Sequence, residues 1–303
     1  MKYPHSSNTF WAHHPKGLPY LTATELWERF AFYIVQGLLV LYVVHQFHWT
    51  DSRSYAVTGA YTALVYMSPL LGGYLADNII GQSRALIVGG IILILGYGAI
   101  AIGTELSLLG GLSSVILGNG LYKPNVSTLV GNLYTKEDNK RESGYTLFFV
   151  GFNIGSFLAD FFIGFIKNIF GWNVSFALAA LGIGVGLSIF LYGRRYIIDT
   201  FDILQISQGT QPKSLPWFRL IIGFLAIILI SSVLLYYSTL SNIAFLISGI
   251  GLVFYFLCLI KKYPKEQSDK LCLLLILMII SVLFWALYFE DYLAVNLFVD
   301  RVV

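Results

Sequence analysis

Long uninterrupted apolar runs constrain this sequence more than any other feature. A transmembrane α-helix needs about 20 consecutive, predominantly apolar residues, and nine segments qualify. Charged residues make up only 12% of the chain, whereas soluble domains carry roughly 25%. With so few polar side chains to cover a surface in water, the composition argues against soluble enzymes, nucleic-acid-binding proteins and disordered proteins. The predicted spans are 24–46, 55–76, 84–104, 107–133, 144–166, 173–193, 215–237, 241–260 and 271–299.

The type of span follows from the pattern of apolar residues within each run. Backbone polar groups must be paired inside the membrane, so a span is either a helix or a strand of a closed barrel. Barrel strands alternate apolar and polar residues, whereas these runs are continuously apolar. The sequence therefore predicts an all-α polytopic membrane protein. Three glycine patterns, 118–120, 151–155 and 182–186, are predicted to mediate close contacts between helices.

Basic residues indicate the orientation of the helices. If the N-terminus is cytoplasmic, 14 of the 19 Lys and Arg residues fall in inner loops or the adjoining span ends, and three fall in outer loops. Cytoplasmic loops of membrane proteins are enriched in these residues, so we predict a cytoplasmic N-terminus. The net charge of +3 follows from this topology and indicates no nucleic-acid partner.

Charged side chains lie inside several predicted spans. A charge at this depth costs about 2.5–3.5 kcal/mol on insertion scales, and is a functional hypothesis by default. Glu25, Glu28 and Arg29 are three or four residues apart in the first span, so they share one helical face. Lys123 lies near the middle of the fourth span, before Pro124. Other polar or aromatic candidates are Asn153 and Asp160 in the fifth span and Trp285, Glu290 and Asp291 in the last.

These charges predict pairing between the first helix and Lys123. A buried carboxylate that alternately pairs with a cation and carries a proton can couple proton movement to transport. An interfacial salt bridge at the start of the first helix remains an alternative for Glu25 and Arg29, whereas the depth of Lys123 favours a function. No metal-binding HExxH pair and no phosphate-binding GxxxxGK[ST] loop is present in the sequence, and we predict neither an enzyme nor a metal site.

Five ordered motifs resemble the proton-dependent oligopeptide transporter (POT) family, the peptide-transporting branch of the major facilitator superfamily. The first-helix motif of that family is ExxERFxYY, and its second-to-third-helix loop is a form of the superfamily's gating-loop motif. The fourth, fifth and seventh helices of the family also carry signatures. The matching segments are ELWERFAFY (25–33), GGYLADNIIG (72–81) with Arg84, KPN (123–125), FFVGFNIGS (148–156) and FWALY (284–288).

The resemblance implies a role for each matching position. Proton coupling is implied for Glu25, Glu28, Arg29 and Lys123, with Lys123 paired to a first-helix glutamate. Peptide binding or gating of the outer side is implied for Tyr33, Gln36, Tyr66, Lys123, Asn153, Trp285 and Glu290. The gating loop would comprise Gly73, Asp77, Gly81 and Arg84.

Three departures from the family pattern affect these roles. Phe32 replaces the first Tyr of the Tyr-Tyr pair and lacks its hydroxyl. Gln36 stands where many members have an Arg that binds the peptide carboxylate. Glu290 follows Trp285 by five residues instead of four, so either Glu290 or Asp291 could face the cavity.

The family fold has twelve core helices in two six-helix halves, with the substrate between them. The resemblance thus implies that this chain holds the first half, two inserted helices and the first helix of an incomplete, C-terminally truncated second half. The implied regions are a cytoplasmic tail at 1–23, a six-helix bundle at 24–193, a linker at 194–214, an inserted pair at 215–262 and the last helix at 263–303.

The resemblance also implies a function: proton-coupled symport of di- and tripeptides across the bacterial inner membrane, by this chain or by a carrier of which it is the N-terminal part. The expected partners are peptide, protons, the lipid bilayer and a separate C-terminal half, with the proton gradient as energy source and no cofactor. Two alternatives stay open: a transport-inactive remnant or membrane interaction protein, and a carrier of another small solute.

Overall fold

The computed structural model describes residues 11, 13–135, 137–205 and 216–302. Within these ranges the chain is helical, without β-strands. Residues 206–214 of the predicted linker, the start of the predicted tail and Lys136 lie outside them, whereas 194–205 of the linker belong to the helix that ends at Gln205. The helices are α1 (Leu18–Phe47), α2 (Asp51–Leu75), α3 (Gln82–Ala101), α4 (Glu105–Asn132), α5 (Arg141–Gln205), α6 (Trp217–Tyr236), α7 (Ser238–Lys262), α8 (Lys265–Glu290) and α9 (Asn296–Val302), with π-helical segments at Ala76–Ile80 and Asp291–Val295.

The helices coincide with the predicted spans, with one difference in the way that they are joined. α5 runs through both the fifth and the sixth predicted span, and the backbone between them is broken only at Gly171, where φ is 80°. This left-handed conformation favours glycine. The boundary predicted between 166 and 173 is therefore a sharp turn at one residue, not a loop.

Six helices of the described residues are both long and apolar enough to cross a membrane, counting the two arms of α5 together. α2 and α4, with 25 and 28 residues, are long enough but are not among these six. Most residues of α4 from Leu108 to Gly131 are buried against other helices, so contact with lipid does not determine its composition. α4 begins at a capping box in which Thr104 accepts from the Ser107 backbone N–H at 3.1 Å.

The chain divides into two compact units. The first comprises Met1–Gln36 and Tyr61–Ser232, and the second comprises Gly37–Ala60 and Val233–Val303. In the first unit α3 packs along α4 and α5, and in the second α7 packs against α8. The five sequence regions were defined by span order rather than by packing, so they remain a prediction.

Glycines allow the helices of the first unit to approach closely. A Cβ atom at Gly72 would overlap the carbonyl oxygen of Gly120, where α2 crosses α4. A Cβ atom at Gly155 would overlap the carbonyl oxygen of Leu26, where α1 crosses α5. The predicted close contacts are confirmed for the patterns at 118–120 and 151–155, whereas in the pattern at 182–186 a Cβ atom at the middle glycine would meet no atom within 4 Å. The two crossings position the helical turns that carry Lys123 and Arg29.

Candidate functional site

A buried cluster of charges forms the centre of the candidate site on α1. The side chain of Arg29 is fully buried, Glu28 is fully buried and Glu25 is 3% exposed. The Arg29 guanidinium pairs with Glu28, and its Nε lies 3.3 Å from Glu25 Oε1. α1 begins at Leu18, so Arg29 lies well inside the helix. An interfacial salt bridge at a helix end would be exposed, whereas the side chains of this cluster are buried.

Burial makes this cluster expensive to form and sensitive to change. Two carboxylates on one guanidinium leave an excess negative charge, and an uncompensated charge in a low-dielectric interior is strongly unfavourable. Lys123 on α4 is a second cation near this cluster. It is partly buried and lies beside Phe32 of α1. The four formal charges of Glu25, Glu28, Arg29 and Lys123 then sum to zero.

Lys123 does not pair with a first-helix glutamate, contrary to the prediction. No carboxylate oxygen of the described residues lies within 4.0 Å of its Nζ atom. The ammonium group instead lies 4.8 Å from the ring centroid of Tyr66 and 6.0 Å from that of Phe32. The physical reason is that Arg29 occupies both carboxylates, and an ammonium group is also stabilised by the face of an aromatic ring.

Aromatic rings surround the Arg29 guanidinium. Its Cζ atom lies 4.9 Å from the ring centroid of Phe32 and 5.0 Å from that of Phe152 on α5. Phe32 is thus in contact with both cations of the site, although it lacks the hydroxyl group of the family's tyrosine. The sequence analysis identified Phe32 only as a departure, and it included Phe152 in the fifth-helix motif without assigning it a role.

Asn119 on α4 belongs to the site and was missed by sequence reasoning. Its Nδ2 donates to Glu28 Oε1 at 3.1 Å, and both side chains are fully buried. One sequence signal could have identified it: Asn119 precedes Lys123 by four residues and so shares its helical face. Asn125, which follows Pro124, makes a different contact. Its Nδ2 donates to the carbonyl of Leu121, four residues earlier in the same helix, at 2.6 Å.

The predicted substrate-binding residues of the first unit divide into exposed and buried side chains. Tyr66 is 42% exposed, and Asn153 is exposed while its Nδ2 donates to the Phe149 carbonyl at 2.7 Å. Gln36 is 1% exposed and donates from Nε2 to Thr62 Oγ1 at 3.3 Å. Tyr33 is also buried, with its ring against Phe152. Tyr33 and Gln36 therefore do not line an open surface in this conformation, and their role in substrate binding stays a prediction.

Trp285 and Glu290 lie in the second unit, on α8. Trp285 is exposed and stacks on Phe289 with 6.0 Å between ring centroids. Glu290 is the last residue of α8 and is also exposed, and the π-helical segment begins at Asp291. The irregular turn thus follows directly after the acidic residue whose spacing from Trp285 departs from the family pattern. π-helical turns inside α-helices are frequent at functional sites.

The predicted gating loop contains the other π-helical segment. The Gly81 N–H donates to the Ala76 carbonyl at 2.9 Å, and Gly81 has a φ of 86°, so a side chain there would strain the backbone. Asp77 accepts from Gln82 Nε2 at 3.0 Å, Gly73 lies beside Pro124, and Arg84 is exposed. Ala76 belongs to a buried apolar cluster that includes Leu220 and Phe224 of α6.

A second set of charges lies in the second unit, where water has access. Arg301 of α9 donates two hydrogen bonds to Asp51, at 2.7 and 2.8 Å, and its side chain is 49% exposed. His45 Nε2 lies 2.7 Å from Asp300 Oδ2. The hydrogen bonds from Arg301 lower the pKa of Asp51, which precedes the second predicted span. These contacts connect α9 to residues around the turn between α1 and α2.

The described residues combine long apolar helices with a buried, charge-balanced cluster, as expected of an all-α membrane protein, and sequence comparison identifies the family. The sequence model of the POT family matches residues 83–301. The chain therefore belongs to the POT family, whose members are transporters and multi-pass membrane proteins.

Curated relatives cover nearly all of this chain. It is 32% identical over 292 residues to the di-/tripeptide transporter of Lactococcus lactis subsp. lactis, with 90% of this chain and 58% of that protein covered. It is 30% identical over 291 residues to dipeptide and tripeptide permease A of Edwardsiella piscicida, with 94% and 58% covered. The chain thus spans less than two thirds of the length of these relatives.

Solved structures confirm the predicted fold class. The chain is similar to the crystal structure of a peptide transporter POT in complex with sulfate, with a TM-score of 0.79, 30% identity, and 97% of this chain and 62% of that chain covered. It is also similar to a POT family transporter in complex with 5-aminolevulinic acid, with a TM-score of 0.81, 26% identity, and 97% and 63% covered. The all-α, transporter-like architecture expected from the sequence is therefore present.

Proposed function

We propose that this chain, by itself or together with further helices, performs proton-coupled symport of di- and tripeptides across the bacterial inner membrane. The observation that carries the proposal is the fully buried Arg29 held between Glu25 and Glu28 in a POT family chain. The Lactococcus and Edwardsiella relatives, named for di- and tripeptides, support this substrate class. The N-terminus lies on the cytoplasmic side, in accordance with the distribution of basic residues.

Proton binding changes the net charge of the site. Glu25, Glu28, Arg29 and Lys123 are balanced when both carboxylates are ionised, so one added proton leaves an excess positive charge. A buried excess charge favours a ligand of opposite sign, and a peptide supplies one through its terminal carboxylate. The ammonium group of Lys123, which contacts the exposed ring of Tyr66, is the cation nearest to an open surface. Peptide binding and proton binding would then support each other.

The proton gradient supplies the driving force in this proposal, and no cofactor takes part. Moving one elementary charge through a potential of 100 mV releases about 2.3 kcal/mol. Protonation would also weaken the hold of the carboxylates on Arg29, which allows the pairing to rearrange as the carrier changes conformation. Lys123, whose ammonium group has no carboxylate partner among the described residues, is then available to pair with the terminal carboxylate of the peptide.

The experiment is uptake of labelled dialanine by proteoliposomes with an inward proton gradient. The chain is tested alone and with the remaining helices of the Lactococcus relative supplied as a separate polypeptide. We expect accumulation that stops when a protonophore collapses the gradient and is lost in Lys123→Ala. Lys265→Ala, which removes an exposed Lys at the start of α8, is the matched control and should transport normally.

The alternatives make different predictions in the same vesicles. A transport-inactive membrane protein gives no uptake in either arrangement, which would overturn the proposal. A carrier of another small solute gives no dialanine uptake while a different labelled solute accumulates. Competition between peptides and amino acids therefore separates the substrate classes.

A further inference from the structure

A single amide side chain bridges α4 to the buried carboxylate of Glu28. Asn119 Nδ2 donates to Glu28 Oε1 at 3.1 Å across 91 residues of sequence. The other carboxylate oxygen of Glu28 faces the Arg29 guanidinium. Among the described residues, one oxygen of Glu28 is thus held by Arg29 of its own helix and the other by Asn119 of another helix.

The oxygen of the same amide is unpaired. Asn119 Oδ1 is buried, and none of the described residues donates a hydrogen bond to it. Buried acceptors without a donor are uncommon, and each calls for an explanation. An amide carries an acceptor and two donors on one planar group, so the unpaired oxygen is next to the carboxylate that its nitrogen already contacts.

We propose that Asn119 is a positioning residue that holds Glu28 in both of its protonation states. When Glu28 is ionised, Nδ2 donates to Oε1, as the structure shows. When a proton from water binds Oε1, an O–H bond forms and the carboxylic acid becomes a donor. The amide then turns about its Cβ–Cγ bond, whose rotation has a broad and roughly two-fold profile, and Oδ1 accepts from the acid. On release the proton returns to water and the amide turns back.

The cations of the site cannot do this. Arg and Lys side chains carry donors and no acceptor, so Arg29 and Lys123 stabilise only the ionised carboxylate. Asn119 accommodates the charged and the neutral form at the same place, which keeps Glu28 aligned through a proton-binding cycle. The inference rests on the proposed function in one respect, namely that Glu28 exchanges a proton during transport.

Infrared spectroscopy of the purified full chain tests this role without requiring transport. The carbonyl band of protonated Glu28 is identified by its absence in Glu28→Gln and is followed as the pH is lowered. In the wild type we expect this band at the frequency of a hydrogen-bonded acid. In Asn119→Leu it should move to a higher frequency, because the O–H of the acid has lost its acceptor while Arg29 remains at Oε2.

The midpoint of the same titration should also move. A hydrogen bond to an ionised group is stronger than one between neutral groups, so loss of Asn119 destabilises the carboxylate more than the acid. We expect the band of Asn119→Leu to develop at a pH roughly one unit more alkaline. The pH profile of dialanine uptake should shift in the same direction.

Two further variants separate positioning from packing. Asn125→Leu removes another buried Asn of α4, one that donates to a backbone carbonyl, and should leave both band and midpoint unchanged. Asn119→Thr keeps a hydroxyl group that donates and accepts, and should retain the lower band frequency even if Asn119→Leu does not fold. An unchanged frequency and midpoint in a folded Asn119→Leu, or an equal shift in Asn125→Leu, would overturn the inference. Because the spectra require no uptake, a chain that fails to transport dialanine still tests Asn119.

Discussion

Each of the two units contains an Arg paired with carboxylates, but one of these Arg residues is buried and the other is exposed. In the first unit, Arg29 is completely buried between Glu25 and Glu28. In the second, Arg301 makes two well-aligned hydrogen bonds to Asp51 with half of its side chain exposed. The comparison teaches that geometry alone does not make a charge pair functional. When an exposed pair loses one partner, water replaces it, so the pair contributes little. When a buried cluster loses a partner, an uncompensated charge remains, and the cluster must change its protonation or its pairing.

The largest expected effect comes from removing the central cation of the buried cluster. Arg29→Ala leaves two carboxylates buried without a cation between them, and breaking a buried pair costs about 3–5 kcal/mol. Thermal and denaturant unfolding in detergent measure this loss, and uptake should be abolished. Arg301→Ala is the control and should lower the midpoint of unfolding much less than Arg29→Ala does. Equal destabilisation by the two variants would contradict the distinction between dry and wet pairs.

A smaller effect is expected when the helices that enclose the cluster are forced apart. Gly155→Leu places a side chain against the Leu26 carbonyl and the Arg29 Cβ atom, and overpacking typically costs about 1–3 kcal/mol. Gly164→Leu is a matched control on the same arm of α5, because no atom outside its own helical turn lies within 4 Å of the added Cβ. Unfolding midpoints compare the two variants. A Gly164→Leu variant as destabilised as Gly155→Leu would show that helix approach is not the cause.

His14 provides an intermediate case outside the membrane. Its Nδ1 lies 2.9 Å from the Tyr134 hydroxyl, and burial, followed by Lys140 and His13, lowers its pKa from the ordinary 6.5, against a weaker opposing effect of Asp138. The undocked state therefore binds more protons than the docked state, so docking should weaken as the pH falls through 6.5. Hydrogen exchange of residues 13–17 measures the docking above and below this pH. His14→Gln should remove the pH dependence, and its persistence would rule out His14 as the titrating group.

The smallest effect is expected at the exposed pair. Because Arg301 lowers the pKa of Asp51, any stability from this pair is present above the ordinary pKa of 3.8 and is lost as the pH falls through the lower, folded value. Salt screens exposed charges more than buried ones. We expect added salt to reduce the small difference in unfolding midpoint between wild type and Asp51→Asn. The same salt should leave the larger shift caused by Arg29→Ala unchanged. If salt does not change the effect of Asp51→Asn on the unfolding midpoint, this pair behaves like the buried cluster, and the distinction between the two is contradicted.

Much of the fold could be read from local patterns, because each depends on neighbours along the chain. Continuous apolar runs identified the helices, and the break between the fifth and sixth spans falls at Gly171. The spacing of Glu25 and Arg29 placed both on one face of α1, where the structure joins them. The glycines at 120 and 155 indicated close helix crossings, which the structure contains.

The sequence did not determine which partners the side chains meet on other helices. Sequence reasoning paired Lys123 with a glutamate, but Arg29 already holds both carboxylates, and the ammonium group lies over Tyr66 instead. Gln36 is buried against Thr62, and its role in substrate binding stays a prediction. Asn119 carried no motif of its own, since its role depends on a residue 91 positions away.

The amino-acid sequence by itself determined that this chain is an all-α membrane protein of the POT family with charges concentrated on one face of its first helix. These properties follow from apolar run length, helical periodicity and ordered motifs, all of which are local. Only the tertiary structure decided which cation neutralises which carboxylate and that an amide from α4 completes the coordination of Glu28. The reason is that a buried charge takes the partners that helix packing brings within hydrogen-bond distance, and packing distances are not encoded in any single segment.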